Sequence, residues 1–241
     1  MIKKFNKLDN NKKIPIVITV SVILLTIIIV YTFFRNSESG YKSIKVDTNK
    51  ELVYTLKETR DDVFYIKVPY ININGSTIKS INEDIDSYLS EFIDTKMKIS
   101  TYEYNINGKV LSLAIKTVDY YNEDMPIVYF KTYNINLDTL ELVSDEELLN
   151  AYDINFNDVN NAMEKQFKYW YKELKKEKYL TEEECDYECF LEYRGVEDYM
   201  DNISYYIDEG KLVVFKPFSF YSVYKEEDYF KEDDFKFIIS N

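Results

Sequence analysis

Few groups in this chain could do chemistry once their partners are counted. Cys185 and Cys189 stand four apart in ECDYEC, and they are the two cysteines of the 241 residues. On a regular helix that spacing sets two thiols poorly for bonding to each other, so a local loop bridge and a pair of free thiols are both compatible with it. Two cysteines do not complete a zinc site, and the chain has no histidine to add. The missing imidazole also removes Ser-His and Cys-His catalysis. Carboxylates are the reverse case, because 43 Asp and Glu are too many for one glycosidase-like pair to stand out. With no glycine-rich phosphate loop and no metal-spaced cluster, the expectation is a protein that binds rather than catalyses and carries no cofactor.

The segment that places the rest of the chain is Ile14 to Phe34, IPIVITVSVILLTIIIVYTFF, which holds no charged residue. As a helix it would reach roughly 30 Å, the hydrocarbon thickness of a bilayer. Lys3, Lys4, Lys7, Lys12 and Lys13 precede it and Arg35 follows. That bias puts the N-terminus in the cytoplasm and the C-terminal region outside. The apolar core is longer than a signal-peptide h-region, and no A-x-A site follows, so an uncleaved anchor is expected. The resulting division is a short cytoplasmic tail (1–13), a transmembrane helix (14–34), a tether (35–44) and an extracytoplasmic domain (45–241), with a possible subdivision near 140–155.

Charge is distributed unevenly across that division. The first 35 residues hold six of the 30 basic and one of the 43 acidic residues, leaving 24 against 42, a net of −18 on the outer part. Such a field repels nucleic acid and anionic lipid and attracts cationic partners, although solubility alone also accounts for it.

The outer part reads as α+β, an antiparallel meander sheet with packed helices. ELVYTLKE and VFYIKVPYINI alternate as half-buried strands, and Pro69 argues for an edge or a strand end. From about Thr77 to Thr95, Ile78, Ile81, Ile85, Leu89, Phe92 and Ile93 recur on one helical face. Asn107-Gly108 between alternating runs signals a hairpin. PIVYFKTYNINLD then adds a third strand after the loop Asn122-Glu123-Asp124-Met125. Ser144 and Glu147 have capping-box spacing before a short helix. A longer helix over about 157–177 buries Val159, Met163, Phe167, Trp170 and Leu174, and 181–193 reads as a third. NISYYID, KLVVF and FKFIIS return to strand. Pro217 interrupts that ladder, which leaves Phe218, Phe220, Tyr221 and Tyr224 in a loop or edge beside the sheet.

The order and spacing of these pieces resemble the extracytoplasmic domain of the RsiV-type anti-sigma factors, a module also found beside polysaccharide deacetylases in Gram-positive bacteria. The landmarks are Tyr65-Ile-Lys-Val-Pro69, Ile81-Asn82, Leu111-Ser112-Leu113, Tyr133-Asn134-Ile-Asn-Leu-Asp138 and Val214-Phe-Lys-Pro217-Phe218. They span nearly all of the outer part. The resemblance implies a domain that binds host lysozyme by seating loops in the enzyme's cleft. By position, the implied contacts are Tyr121, Asn122, Glu123 and Asp124 before the third strand, and Pro217, Phe218, Tyr221, Ser222 and Tyr224 near the end. The first loop reads NEDMP, without the glycine and histidine common there in the family, and Ser222 stands where a proline is expected.

The first expectation is therefore a single-pass cell-membrane protein that binds, and inhibits or sequesters, lysozyme at the cell envelope. The alternatives are an anti-sigma-like envelope-stress sensor, for which Met1 to Lys13 is short, and a related domain of other cell-wall function.

Overall fold

The computed structural model describes residues 44–60, 64–93, 98–122, 125–181, 185–193, 203–217, 220–222, 227–229 and 236–239. The expected span Ile14 to Phe34, its cytoplasmic tail and all of the tether but Ile44 lie outside the described residues. No helix among the described residues is long and apolar enough to cross a membrane.

The architecture is a mixed α+β one built on a six-stranded, mostly antiparallel sheet. Its strands are β1 (Val53–Arg60), β2 (Phe64–Ile71), β3 (Lys98–Asn107), β4 (Val110–Asn122), β5 (Met125–Asn136) and β6 (Glu141–Leu142), hydrogen-bonded in sequence order. The expected three-stranded meander is β3–β4–β5, paired over nearly its whole length. Its first loop is Gly108-Lys109, one residue later than the expected turn, with Gly108 at φ 58° and Asn107 still in the ladder. A glycine takes that left-handed conformation without a Cβ penalty.

One connection departs from a pure meander. Helix α1 (Ser76–Ile93) carries the chain from β2 to β3, and those two strands pair parallel through Phe64, Tyr65 and Ile66. Parallel neighbours need a crossover of about a dozen residues or more, which this helix supplies. Pro69 lies inside β2 rather than at its end. It sits beyond the stretch that pairs with β3, so only β1 reads that part of the strand.

The two faces of the sheet carry separate cores. On one, Ile78, Ile81, Ile85 and Leu89 of α1 pack on Leu111, Leu113 and Ile115 of β4 and on Ile135 of β5. They are four of the six residues that the three- and four-residue spacing predicts for that stripe. Asn82, on the same helix, accepts from the Ile71 N–H at 2.9 Å and donates to the Ile71 carbonyl at 3.0 Å, which locks α1 to β2.

The opposite face is covered by three helices and a second sheet. Helix α2 (Asp145–Ala151) opens on the expected Ser144–Glu147 capping box. Helix α3 (Phe156–Lys176) opens on a second box, Asn155 with Asp158, and buries Val159, Met163, Phe167, Trp170 and Leu174. Helix α4 (Tyr187–Tyr193) is shorter than the expected 181–193. The second sheet has the order β11–β8–β7, from β7 (Ser204–Asp208), β8 (Lys211–Phe215) and β11 (Lys236–Ile238). Glu209 and Gly210, both at positive φ, make the two-residue turn between β7 and β8 that matches strand twist. β9 (Phe220–Ser222) and β10 (Glu227–Tyr229) pair as a separate two-stranded sheet.

Candidate functional site

Of the residues implicated by resemblance, Tyr121, Asn122, Pro217, Tyr221 and Ser222 are among the described residues. Tyr121 and Asn122 are the last residues of β4, and Asn122 pairs with Met125 after a register shift beyond Asp119. The expected four-residue loop is thus a two-residue connection, and its Glu123 and Asp124 lie outside the described residues. Pro217 is half-buried just after β8, and the ladder does stop before it. Tyr221 and Ser222 are strand residues of β9, paired with Asp228 and Glu227 in a two-stranded sheet, so of the loop and edge alternatives Tyr221 takes the edge. Phe218 and Tyr224 lie outside the described residues.

Cys185 and Cys189 form a disulfide, with Cα atoms 5.3 Å apart. The helix starts at Tyr187, so Cys185 lies in the turn before it and is free of the helical geometry that keeps such a pair apart. Tyr171 of α3 donates to the Cys185 carbonyl at 3.2 Å, which ties the bridge to the long helix.

Three polar arrangements within the described residues could recognise or position something. The first lies between α1 and β5. Lys131 approaches Asp84 to 2.8 Å, Tyr133 donates to the same carboxylate at 2.6 Å, and Lys131 sits over the Tyr88 ring. The ammonium of Lys131, and then the Tyr133 hydroxyl, hold the Asp84 carboxyl below the usual range. Burial first, and then the bond to Asp84, push the Tyr133 phenol upward. Every charge in this group is matched within it, so it reads as a strut between helix and sheet.

The second arrangement joins the two sheets. Ser112 donates to Asn134 Oδ1 at 2.6 Å, Asn134 Nδ2 donates to the Tyr205 carbonyl at 3.0 Å, and the Ile207 N–H donates to Ser112 Oγ at 3.2 Å. Ser112 and Asn134 are both buried. Tyr205 and Ile207 are alternate residues of β7, so the side chains of β4 and β5 satisfy the edge that β7 turns away from β8. Further along, Lys236 of β11 lies 2.8 Å from Asp208 and 3.2 Å from Glu103. Those two carboxylates raise its pKa, although its own burial acts most strongly and in the opposite sense.

The third is a cleft of about 950 Å³ between α3 and β11. One wall is the flank of α3 beside its buried stripe, with Asp158, Ala162, Lys165 and Tyr169. The α2–α3 turn contributes Tyr152 and Asp153, and the other wall is Phe237, Ile238 and Ile239. Its size matches the roughly 300–1,000 Å³ of ligand clefts. None of its residues was singled out by type or spacing. The available signal was the run FKFIIS, whose alternation marks a strand, beside a helix flank that is neither wholly polar nor apolar.

Among the described residues no group of three or more His, Cys, Asp or Glu could hold a metal ion. No family model matches the sequence, and no curated protein matches it.

Proposed function

We propose that this chain is a membrane-anchored extracytoplasmic protein that binds, and inhibits or sequesters, a cationic wall-degrading enzyme, with lysozyme as the partner. The observation that carries the reading is the excess of 42 acidic over 24 basic residues after Arg35. A field of that sign raises the rate of encounter with a basic protein and makes it fall with salt. One further feature supports it, the ordered set of short motifs that resemble those of the RsiV-type domain.

The test is capture of the full chain, in detergent micelles, by immobilised lysozyme across a salt series, with wall lysis read in parallel. Retention at low salt should weaken as the Debye length falls from about 30 Å at 0.01 M to about 8 Å at 0.15 M. A non-lytic basic protein of similar charge should be retained less. No retention at low salt, or equal retention of both proteins, would refute the reading. Retention without loss of lytic activity would reassign the chain from inhibitor to decoy.

A further inference from the structure

The two edges of the second sheet are treated differently. Asn134 and Ser112 cap the β7 edge. The other edge belongs to β11, which pairs with β8 alone among the described residues and borders the α3 cleft. Ile239 N–H donates to the Leu212 carbonyl at 3.0 Å, so the Ile238–Val213 pair between them and Phe237–Val214 is a non-hydrogen-bonded one. The N–H and C=O of Ile238 therefore point away from β8, along an edge that no other described strand covers.

We infer that an extended, cationic segment of a partner protein adds to β11 as a fourth strand and lies in the groove between that strand and α3. Strand addition takes its affinity from the backbone groups of an open edge and its selectivity from flanking side-chain positions. Here the edge supplies Ile238, the flanking apolar surface is Ile238 (53% exposed) and Tyr169 (42% exposed), and the groove is large enough for a short segment. Charge chooses the occupant. Asp153 and Asp158 stand at one end against Lys165, on an outer part of net −18. A second copy of the chain would bring the same negative field to this edge, which opposes pairing of β11 with itself. The inference is independent of lysozyme, since it concerns an unfolded or loop segment of whichever protein supplies it.

The experiment uses the full chain in detergent and a fluorescent heptapeptide of alternating Lys and Val, read by polarisation at low salt. A Glu/Val peptide of the same length and the Lys/Val peptide with a central proline serve as comparisons. The Lys/Val peptide should bind, and each comparison should bind at least about tenfold more weakly. Ile238→Pro removes an outward N–H without touching the β8 ladder, which is where an edge strand accepts proline. Asp153→Asn removes one charge at a φ of 54° that asparagine tolerates. The first variant should weaken the peptide about tenfold and the second should weaken it and flatten its salt dependence, with circular dichroism and melting unchanged in both. Lys/Val binding that ignores the proline and both variants would be diffuse attraction and would overturn the inference. So would the absence of binding, or association of the chain with itself that Ile238→Pro abolishes. Lysozyme capture can succeed or fail in either case, which separates this result from the test of the proposed function.

Discussion

Replacing Asn134 by alanine removes the pin between the two sheets, and the cost follows from its two partners. Two hydrogen bonds disappear, one to the Tyr205 carbonyl and one from Ser112. At roughly 1 kcal/mol net each, they account for about 2 kcal/mol. Tyr205 is almost fully buried, so its carbonyl gains no ready water, and a stranded buried acceptor adds about 1 kcal/mol or more. The expected destabilisation is about 3 kcal/mol. Trp170 is fully buried and is the one tryptophan of the chain, so its fluorescence during urea unfolding reports on the helix side of the fold. The full chain in detergent is the sample, with Ser112→Ala and the double variant alongside. Because both single substitutions remove the shared Ser112–Asn134 bond, the double should cost less than their sum by about 1 kcal/mol. A loss below about 1 kcal/mol for Asn134→Ala, or simple additivity, would refute the view that these side chains act as one buried network.

Three further outcomes follow from the same coordinates. Tyr205 is pushed up to about 12, first by burial and then by Asp145, and its hydroxyl has no hydrogen-bond partner among the described residues. Its contribution is complete below the unfolded tyrosine value near 10 and is lost as pH rises from there through about 12. Tyr205→Phe should thus change stability by less than about 1 kcal/mol at neutral pH and soften alkaline unfolding. A neutral-pH loss above about 2 kcal/mol would mean that the hydroxyl is bonded. The depressed Asp84 carboxyl gives stability that is present above the unfolded value near 4 and is lost as pH falls through its lower folded value. Asp84→Asn should remove that part of the acid limb, and an unchanged limb in acid titrations of the melting temperature would contradict the strut. The Cys185–Cys189 bridge closes no more than a five-residue loop, so reducing it should cost at most about 2 kcal/mol by urea titration. Hydrogen exchange should rise around α4 while β4 stays protected.

Much of the fold was legible because its elements bury one face at a regular period. The stripe Val159–Met163–Phe167–Trp170–Leu174 and the α1 stripe could be read from spacing alone, and so could the Ser144 cap. Part of what escaped was long-range. The parallel β2–β3 pair depends on where α1 returns the chain, which no local pattern states, although a helix between two strand runs is the usual sign of a crossover. Asn155 with Asp158 has the spacing of a capping box but not its Ser/Thr and Glu/Gln letters, so the second cap was missed. The disulfide stayed open because it turns on whether Cys185 is inside the helix, and helix ends are poorly fixed by sequence. The groove was invisible because it belongs to two elements some 70 residues apart, neither of which is unusual by itself.

The short motifs on which the proposed resemblance rests take on a physical meaning from the same contacts. Asn82 grips β2, while the buried Ser112 and Asn134 hold β7, so three of these letters are polar pins within the domain's own fold. Apolar packing alone would let one sheet slide over the other, since burial is non-directional, whereas a hydrogen bond to a named carbonyl admits one register. β11 lies two strands from β7, about 10 Å away at the usual strand spacing. The width of the groove against α3 is therefore set by how firmly Ser112 and Asn134 hold the opposite edge. Asn134→Ala should then weaken the Lys/Val peptide several-fold under conditions where the variant is still folded, although Asn134 does not line the groove. Ile85→Val, a loss of one methyl from the core on the far face, is the control of comparable remoteness and should leave binding unchanged. Equal effects of the two would mean that general softening governs the groove; an effect of Asn134→Ala alone would make Asn134 a positioning residue for it.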